Sequence, residues 1–386
     1  MTIGFFDLDQ AELSEFAREH EFKSFLPTQL CRWVYERGVT EFEKMTDISK
    51  RDRLRLSERM HFIQSDEIVA QRASDGTRKL LLAWHDDVPE AGSRRLTVVS
   101  EDGALASHSG RKETECVMIP SGDRRTGCIS SQVGCPVGCR FCASGLGGLE
   151  GNLSSGRIVE QAWRLGRMDG VGRVTNIVFM GMGEPLSNYR NVIKAIRTLN
   201  APWGLGIGAR RITVSTVGLP PAIRRLAQFD IPVTLALSLH APNDDLRKEI
   251  IPWAEYTTIK ELLEACQAYF QASGREITLE YILLGGLNDR PEHARELATI
   301  ARSLRANVNL IRYNEVEGLP YKRPVSEDVL RFQSILREKN VNAHIRASRG
   351  RDIDAACGQL RYKNREKNRE KNRDRSPGHD GSRVRN

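Results

Sequence analysis

The segment Gly134-Cys135-Pro136-Val137-Gly138-Cys139-Arg140-Phe141-Cys142 decides how this chain is read. Three residues separate Cys135 from Cys139, and two separate Cys139 from Cys142. So tight a spacing, in a run that also carries Pro136 and two glycines, predicts a short loop whose thiolates converge on one inorganic cluster. Iron–sulfur clusters are held by cysteine thiolates, and a cubic four-iron cluster normally takes four. The local run supplies three, which leaves one iron open to bind and activate a small molecule. That favours a catalyst over an electron carrier. A structural zinc site needs four Cys or His ligands at its own spacings. The nearest additional candidates, Cys128 seven residues upstream and His108, make no such spacing.

Outward from this loop, the pattern from about residue 121 alternates strands with amphipathic helices. Strands are predicted at 173–181, 211–217, 232–239, 277–284 and 306–312, with helices between them at 188–200, 258–272 and 291–305. Such alternation argues for parallel βα units. A βα barrel places its functional residues at the C-terminal ends of its strands. The polar motifs sit there: GMGEP (181–185) follows VTNIVF, Ser215 and Thr216 end RRITVST, and Ser238 and His240 end VTLALSLH. A helix near 326–339, a strand near 341–347 and the loop DIDAACG follow. Residues 1 to about 60 carry apolar residues at helical spacing, with Pro27 and Thr28 at a helix start. Residues 61–120 read as short strands (HFIQSDEIVAQRAS, TRKLLLAW, RRLTVVS, ECVMIP) punctuated by Gly- and Asp-containing turns.

Composition narrows the class. No apolar run in the 386 residues is long enough to span a bilayer. The acidic N-terminus has no signal-peptide pattern, so a cytoplasmic location is expected. In such a chain eight cysteines point to metal or redox chemistry and not to a disulfide framework. The net charge of +8 resides mostly in the tail, where residues 361–386 hold seven Arg and three Lys against two Glu and two Asp. With its KNRE repeats and few apolar residues, this tail is expected to be disordered, and its charge would attract RNA phosphate in a salt-dependent way.

The spacing C-x3-C-x2-C, with Phe141 before the last cysteine, resembles the radical S-adenosylmethionine (SAM) signature. Add GMGEP, RRITVSTVG (210–218), LALSLHAPND (235–244), RGRDIDAACGQL (349–360), Glu115 and Cys128, and residues 10–360 resemble the RlmN/Cfr family. Its RlmN-type members are adenine-C2 methyltransferases of 23S rRNA and tRNA. The resemblance implies an α/β fold, a partial (β/α)6 radical-SAM barrel with a small N-terminal accessory domain. The implied divisions are a helical RNA-docking domain (1–60), a β-rich region (61–120), the barrel (121–325), a C-terminal extension (326–360) and the basic tail (361–386).

The same resemblance implies roles. Cys135, Cys139 and Cys142 would bind one [4Fe-4S] cluster with exchangeable SAM on its open iron, two SAM being used per turnover. Gly183, Glu184, Ser215, Ser238, Leu239, His240 and Asn314 match SAM-contacting positions. Adenine C2 is an electron-poor sp² carbon, so polar methyl transfer from SAM cannot reach it. The family first methylates a protein cysteine, matched here by Cys357; Cys128 matches the thiol that resolves the protein–RNA crosslink through a disulfide, and Glu115 the proton acceptor. The implied partners are 23S rRNA, tRNA and an electron donor such as flavodoxin or ferredoxin, with the chain a monomer and no membrane involved. Arginines beside the motifs, Arg124, Arg125, Arg210, Arg211, Arg349 and Arg351 among them, suit phosphate contacts. The sequence departs from the family at Gly151, Arg157 and Ser348, none of them a catalytic position. Cys31, Cys116 and Cys266 match no family position and are assigned structural roles. Two alternatives stand beside this reading: a Cfr-type adenine-C8 methyltransferase, and a metal-stabilised RNA-binding protein without catalysis.

Overall fold

The computed structural model describes residues 2–85 and 112–360. The expected strand RRLTVVS, His108 and the basic tail lie outside the described residues. The chain's apolar runs build one ten-stranded sheet whose spatial order follows chain order. Strands β1 (Ser65–Arg72), β2 (Arg78–Trp84) and β3 (Glu113–Ser121) form an antiparallel meander. β3 pairs antiparallel with β4 (Arg124–Cys128), and from β4 onward every pairing is parallel. The parallel set continues through β5 (Asn176–Phe179), β6 (Ile212–Thr216), β7 (Thr234–Ser238), β8 (Ile277–Leu283), β9 (Asn307–Arg312) and β10 (Ala343–Arg346). The residues expected as a β-rich entry thus extend the barrel sheet itself.

Helices complete the βα units. They are α4 (Ser155–Arg167), α5 (Tyr189–Asn200), α6 (Pro220–Ala227), α7 (Asp244–Ile250), α8 (Ile259–Ser273), α9 (Pro291–Leu304) and α10 (Ser326–Glu338), preceded by α1 (Gln10–Glu19), α2 (Leu26–Cys31) and α3 (Lys50–Ser57). Their buried stripes have the 3.6-residue period, as with Val192, Ala195, Ile196 and Leu199 of α5. The start of α8 is fixed by a capping box between Thr258 and Glu261, and its end by Gly274 in the left-handed region. Pro27 stands in the first turn of α2, as the sequence predicts.

Strand alternation divides the sheet into two faces. Leu235, Leu237, Leu279, Tyr281, Val308 and Leu310 are buried in the main hydrophobic core. The intervening Ser238, Glu280, Ile282 and Ile311, with Ser215, line a cavity instead. On a flat sheet β5 and β9 would stand about 19 Å apart, four strand spacings. Here the ends of β5 through β9 share one cavity of about 160 Å³. The parallel sheet therefore curls into the expected partial barrel, concave toward the cavity.

The N-terminal segment docks on α4. Trp163 Nε1 donates to the Val34 carbonyl (2.8 Å), and Arg167 donates to the Tyr35 carbonyl (2.7 Å). Asp7 Oδ1 accepts from Gly156 N–H (2.7 Å) in the first turn of α4, where the helix dipole favours an anion. Phe5, Phe6, Trp33 and Trp163 belong to the same core as the sheet strands.

Asn288, fully buried, joins the loops after β7 and β8. Its Nδ2 donates to the carbonyls of His240 (2.8 Å) and Ile282 (2.7 Å), and its Oδ1 accepts from Leu284 N–H (2.7 Å). Replacing it by Ala strands three buried backbone groups, at a cost of at least about 3 kcal/mol. Urea unfolding of Asn288→Ala is expected to show that loss; a change below about 1 kcal/mol would show that water or rearrangement satisfies these groups.

Candidate active site

The three clustered cysteines form the wall of the cavity above the curled sheet. Cys135, Cys139, Cys142, Val137 and Phe141 all line it. Backbone bonds fix the loop: Cys142 N–H donates to Cys139 O (3.1 Å), Cys135 N–H to Gly148 O (3.0 Å), and Arg140 N–H to Ile250 O (3.0 Å). Burial pushes the Cys135 thiol up to about 12, and charge on the neighbouring Cys142 opposes its ionisation further. Among the described residues no three His, Cys, Asp or Glu side chains converge on a single ion. Thiolates that ligate different irons of a cluster need not meet at one point, whereas the four ligands of a structural zinc must. The donor set, three soft thiols facing an open cavity, therefore fits a cluster better than a zinc ion.

Opposite this wall stand the strand ends. The turn Gly181–Pro185 needs its glycine: Gly183 has φ 103°, and a Cβ there would lie 2.6 Å from Gln132 Cβ. Glu184 is buried and accepts from the N–H groups of Val217 (2.8 Å) and Leu186 (3.0 Å). Burial pushes its carboxyl up to about 7, against the pull of these bonds. Ser215 and Ser238 face each other, Oγ to Oγ at 3.1 Å. His240 adopts a positive φ of 60° and its Nδ1 accepts from Ile282 N–H (3.1 Å). Burial, helped by the nearby Arg247, pushes the imidazole down to about 3, so it is neutral at physiological pH.

Two of the expected cofactor-contacting residues do not line this cavity. Leu239 is fully buried and offers the site only backbone; its N–H donates to Glu280 O (3.1 Å). Asn314 lines a smaller adjoining cavity of about 80 Å³, and its Oδ1 accepts from Arg323 (2.9 Å). Cys357 lines both cavities, and enclosure of its thiol there pushes its pKa upward. Its loop is tied to the cysteine loop, because Ala143 N–H donates to Gly358 O (2.7 Å). Cys128, at the end of β4, is buried in a small cluster with Val117, Met182, Ala355 and Leu360. Burial pushes its thiol up to about 12, and charge on the nearby Cys357 adds to the effect. Glu115 lies on β3, buried, with its Oε1 3.0 Å from Lys79 Nζ.

The chain matches the family described as the radical SAM superfamily over residues 129–298, and the ribosomal RNA large subunit methyltransferase N-terminal domain over residues 3–62. It is 45% identical over 360 residues to a probable dual-specificity RNA methyltransferase RlmN of Rhodopirellula baltica, covering 93% of this chain and 90% of that one. The corresponding protein of Gloeobacter violaceus is 42% identical, with 94% and 97% covered. Among solved structures, a radical SAM methyltransferase from Sphaerobacter thermophilus superposes with a TM-score of 0.84 at 39% identity, covering 93% of this chain and 99% of that one.

The chain belongs to the RlmN family of the radical SAM superfamily. Membership implies a [4Fe-4S] cluster and SAM. It also accounts for the two-part match, with the N-terminal module docked on the first helix of the barrel. Among the described residues no helix is long and apolar enough to cross a membrane.

Several residues of this RlmN-family site carry no motif. Gln132 accepts from Glu184 N–H (2.8 Å) and holds the glycine turn. Arg247 is almost fully buried, and donates to the carbonyls of Val217 (2.6 Å) and Leu239 (3.2 Å) at the ends of β6 and β7. Glu280 lines both cavities, with Oε1 accepting from Asn309 Nδ2 (2.8 Å). A lone acid inside the apolar strand ITLEYIL is the signal that could have found it. Of the basic residues, Arg125 donates to the Arg173 carbonyl (2.6 Å), and the Arg157 guanidinium lies over Trp84 at 5.6 Å.

Glu184 makes stability depend on pH. Its folded-state pKa of about 7 exceeds the ordinary 4.5, so the native state holds this proton more tightly than the unfolded chain. Its contribution is favourable below about 4.5 and is lost as pH rises through about 7. Unfolding of the cluster-free chain measured at pH 5.5 and pH 8 should show stability falling on this group's account, and falling less in Glu184→Gln. An equal fall in both would mean that Glu184 is ionised throughout.

Proposed function

We propose that the chain methylates C2 of an adenine in the peptidyl-transferase centre of 23S rRNA, and of an adenine beside the tRNA anticodon, through an S-methylated Cys357. One observation carries the reading: Cys357 lines the cavity of the three-cysteine loop, with the buried thiol of Cys128 within electrostatic reach. A protein that only binds RNA has no use for a methyl-accepting thiol there. The printed names of the relatives, dual-specificity RNA methyltransferases, support the same reading.

In this reading Cys135, Cys139 and Cys142 hold the cluster and leave one iron for SAM. When bound and reduced, by a donor such as flavodoxin or ferredoxin, the cluster supplies the electron that cleaves SAM. Glu184 accepts from the SAM ammonium, and Ser215, Ser238 and the neutral His240 line the cofactor cavity. Cys357 takes a methyl group from one SAM and presents it to the adenine. The target base must leave its stack to enter the cavity, which favours unpaired sites. One hydrogen atom of the S-methyl group passes to the cleaved SAM, and the remaining carbon bonds to C2; Glu115 takes the C2 proton as one electron leaves for the cluster. The Cys128 sulfur then attacks the Cys357 sulfur: the S–S bond forms as the sulfur–methylene bond breaks, and the Cys128 thiol proton passes to that carbon, which frees the methylated base and leaves a disulfide. The enzyme works as a cytoplasmic monomer.

Anaerobic reaction of the cluster-loaded protein with SAM, a reductant and 23S rRNA fragments tests this directly. The expected product is 2-methyladenine, lost in Cys357→Ala, with a covalent protein–RNA adduct accumulating in Cys128→Ala. Methyl on C8 would move the chain to the Cfr-type reaction, and absence of SAM cleavage by a verified cluster would favour the RNA-binding alternative.

A further inference from the structure

The β1–β2 hairpin falls outside both family matches, which cover residues 3–62 and 129–298. Yet it grips the turn that leads to Cys357. Ser74 N–H donates to Asp352 Oδ2 (2.9 Å), and Gly350 N–H donates to Asp75 Oδ2 (3.1 Å). Lys79, the second residue of β2 and four positions after Asp75, is buried. Its ammonium lies 3.0 Å from Glu115 Oε1 and donates to the Asp354 carbonyl at 3.3 Å. The contact follows from register: Lys79 stands opposite Val117, so Glu115 is its diagonal neighbour on the same face of the sheet. Val117 packs with Cys128, Ala355 and Leu360, which puts that face against the Cys357 turn.

A lysine and a glutamate, both nearly inaccessible to water, are costly to bury and are tolerated as a pair. Removing the lysine withdraws a positive charge 3.0 Å from the buried carboxylate, which favours its protonated form. That would spoil a carboxylate meant to accept one.

We propose that Lys79 is a positioning residue of this site, holding the Glu115 carboxylate as an anion toward the Cys357 turn, ready to take the proton that leaves adenine C2. The inference rests on the function proposed above. In the step concerned the C2–H bond of the covalent adduct breaks, its electron pair stays on the ring, and the proton passes to the Glu115 carboxylate. Ionisable groups near Glu115 among the described residues include Cys116 and, around that thiol, Cys128 on β4 with Glu160 and Arg164 on α4. Glu160 and Arg164 are already paired with each other at 2.9 Å.

The test uses the cluster-loaded full chain with SAM, a reductant and 23S rRNA fragments, comparing the unsubstituted protein, Lys79→Met, Glu115→Gln and the double variant. Mass spectrometry follows S-methyl-Cys357, the protein–RNA adduct and 2-methyladenine. Lys79→Met is expected to methylate Cys357 normally, to accumulate adduct, and to release product about tenfold more slowly or worse at pH 7. Release should recover as pH is raised, because alkali restores the Glu115 anion. The double variant should be no slower than Glu115→Gln alone. Normal release by Lys79→Met, or a further slowing in the double variant equal to that of the single one, would overturn the inference. Loss of Cys357 methylation in step with product would do so as well, by showing a structural role only. Should Lys79→Met fail to fold, Lys79→Gln keeps a donor without the charge and is read the same way. An unsubstituted chain that yields neither product nor S-methyl-Cys357 would instead overturn the functional reading, and this inference with it.

Discussion

The site depends on one junction: the N–H of Ala143, directly after the third loop cysteine, donates to the carbonyl of Gly358, directly after Cys357. These residues are more than 200 positions apart in the chain. The curl of the parallel sheet brings them together, since β10 closes one end of the parallel set and the turn beyond it reaches back over the strand ends. A flat sheet would leave the cysteine loop, which follows β4, and the turn after β10 on opposite flanks. The chemistry proposed for Cys357 therefore rests on sheet curvature as much as on any side chain.

Alternation along one strand shows how the same sequence serves core and site. On β3, Ile119 lines the smaller cavity and Val117 packs against Ala355 and Leu360 of the Cys357 turn, with Glu115 on the same face, while Cys116 and Met118 belong to the core. Adjacent residues thus have unrelated duties, and Cys116, like Cys31 and Cys266, is a small apolar side chain in the main core. Charge is handled with similar economy. A buried guanidinium, Arg247, ties two strand ends and lies near Cys139, and it adds to the burial that keeps the nearby His240 neutral.

Much of this was legible in the sequence, for local reasons. Strands expected at 277–284 and 306–312 occur at Ile277–Leu283 and Asn307–Arg312, the first an almost wholly buried run and the second alternating buried with half-buried residues. The three cysteines, Gly183, Glu184, Ser215, Ser238, His240 and Cys357 meet at one cavity, as their places in motifs at strand ends suggest. What the sequence hid depends on register and distant pairing. Lys79 matters because of a diagonal neighbour across β2 and β3, and Asn288 because two loops separated by 42 residues both need its amide. Leu239 and Asn314 add a further point: motif position alone does not say whether a residue presents its side chain to the main cavity, is buried, or lines the adjoining cavity.

The most direct measurement is low-temperature electron paramagnetic resonance of the anaerobically reconstituted, reduced protein, recorded with and without SAM. An open iron on the Cys135–Cys139–Cys142 loop predicts a four-iron signal that changes when SAM is added, that survives Cys357→Ala and is lost in Cys139→Ala. A signal indifferent to SAM, or a chain that binds zinc and no reducible iron, would contradict it.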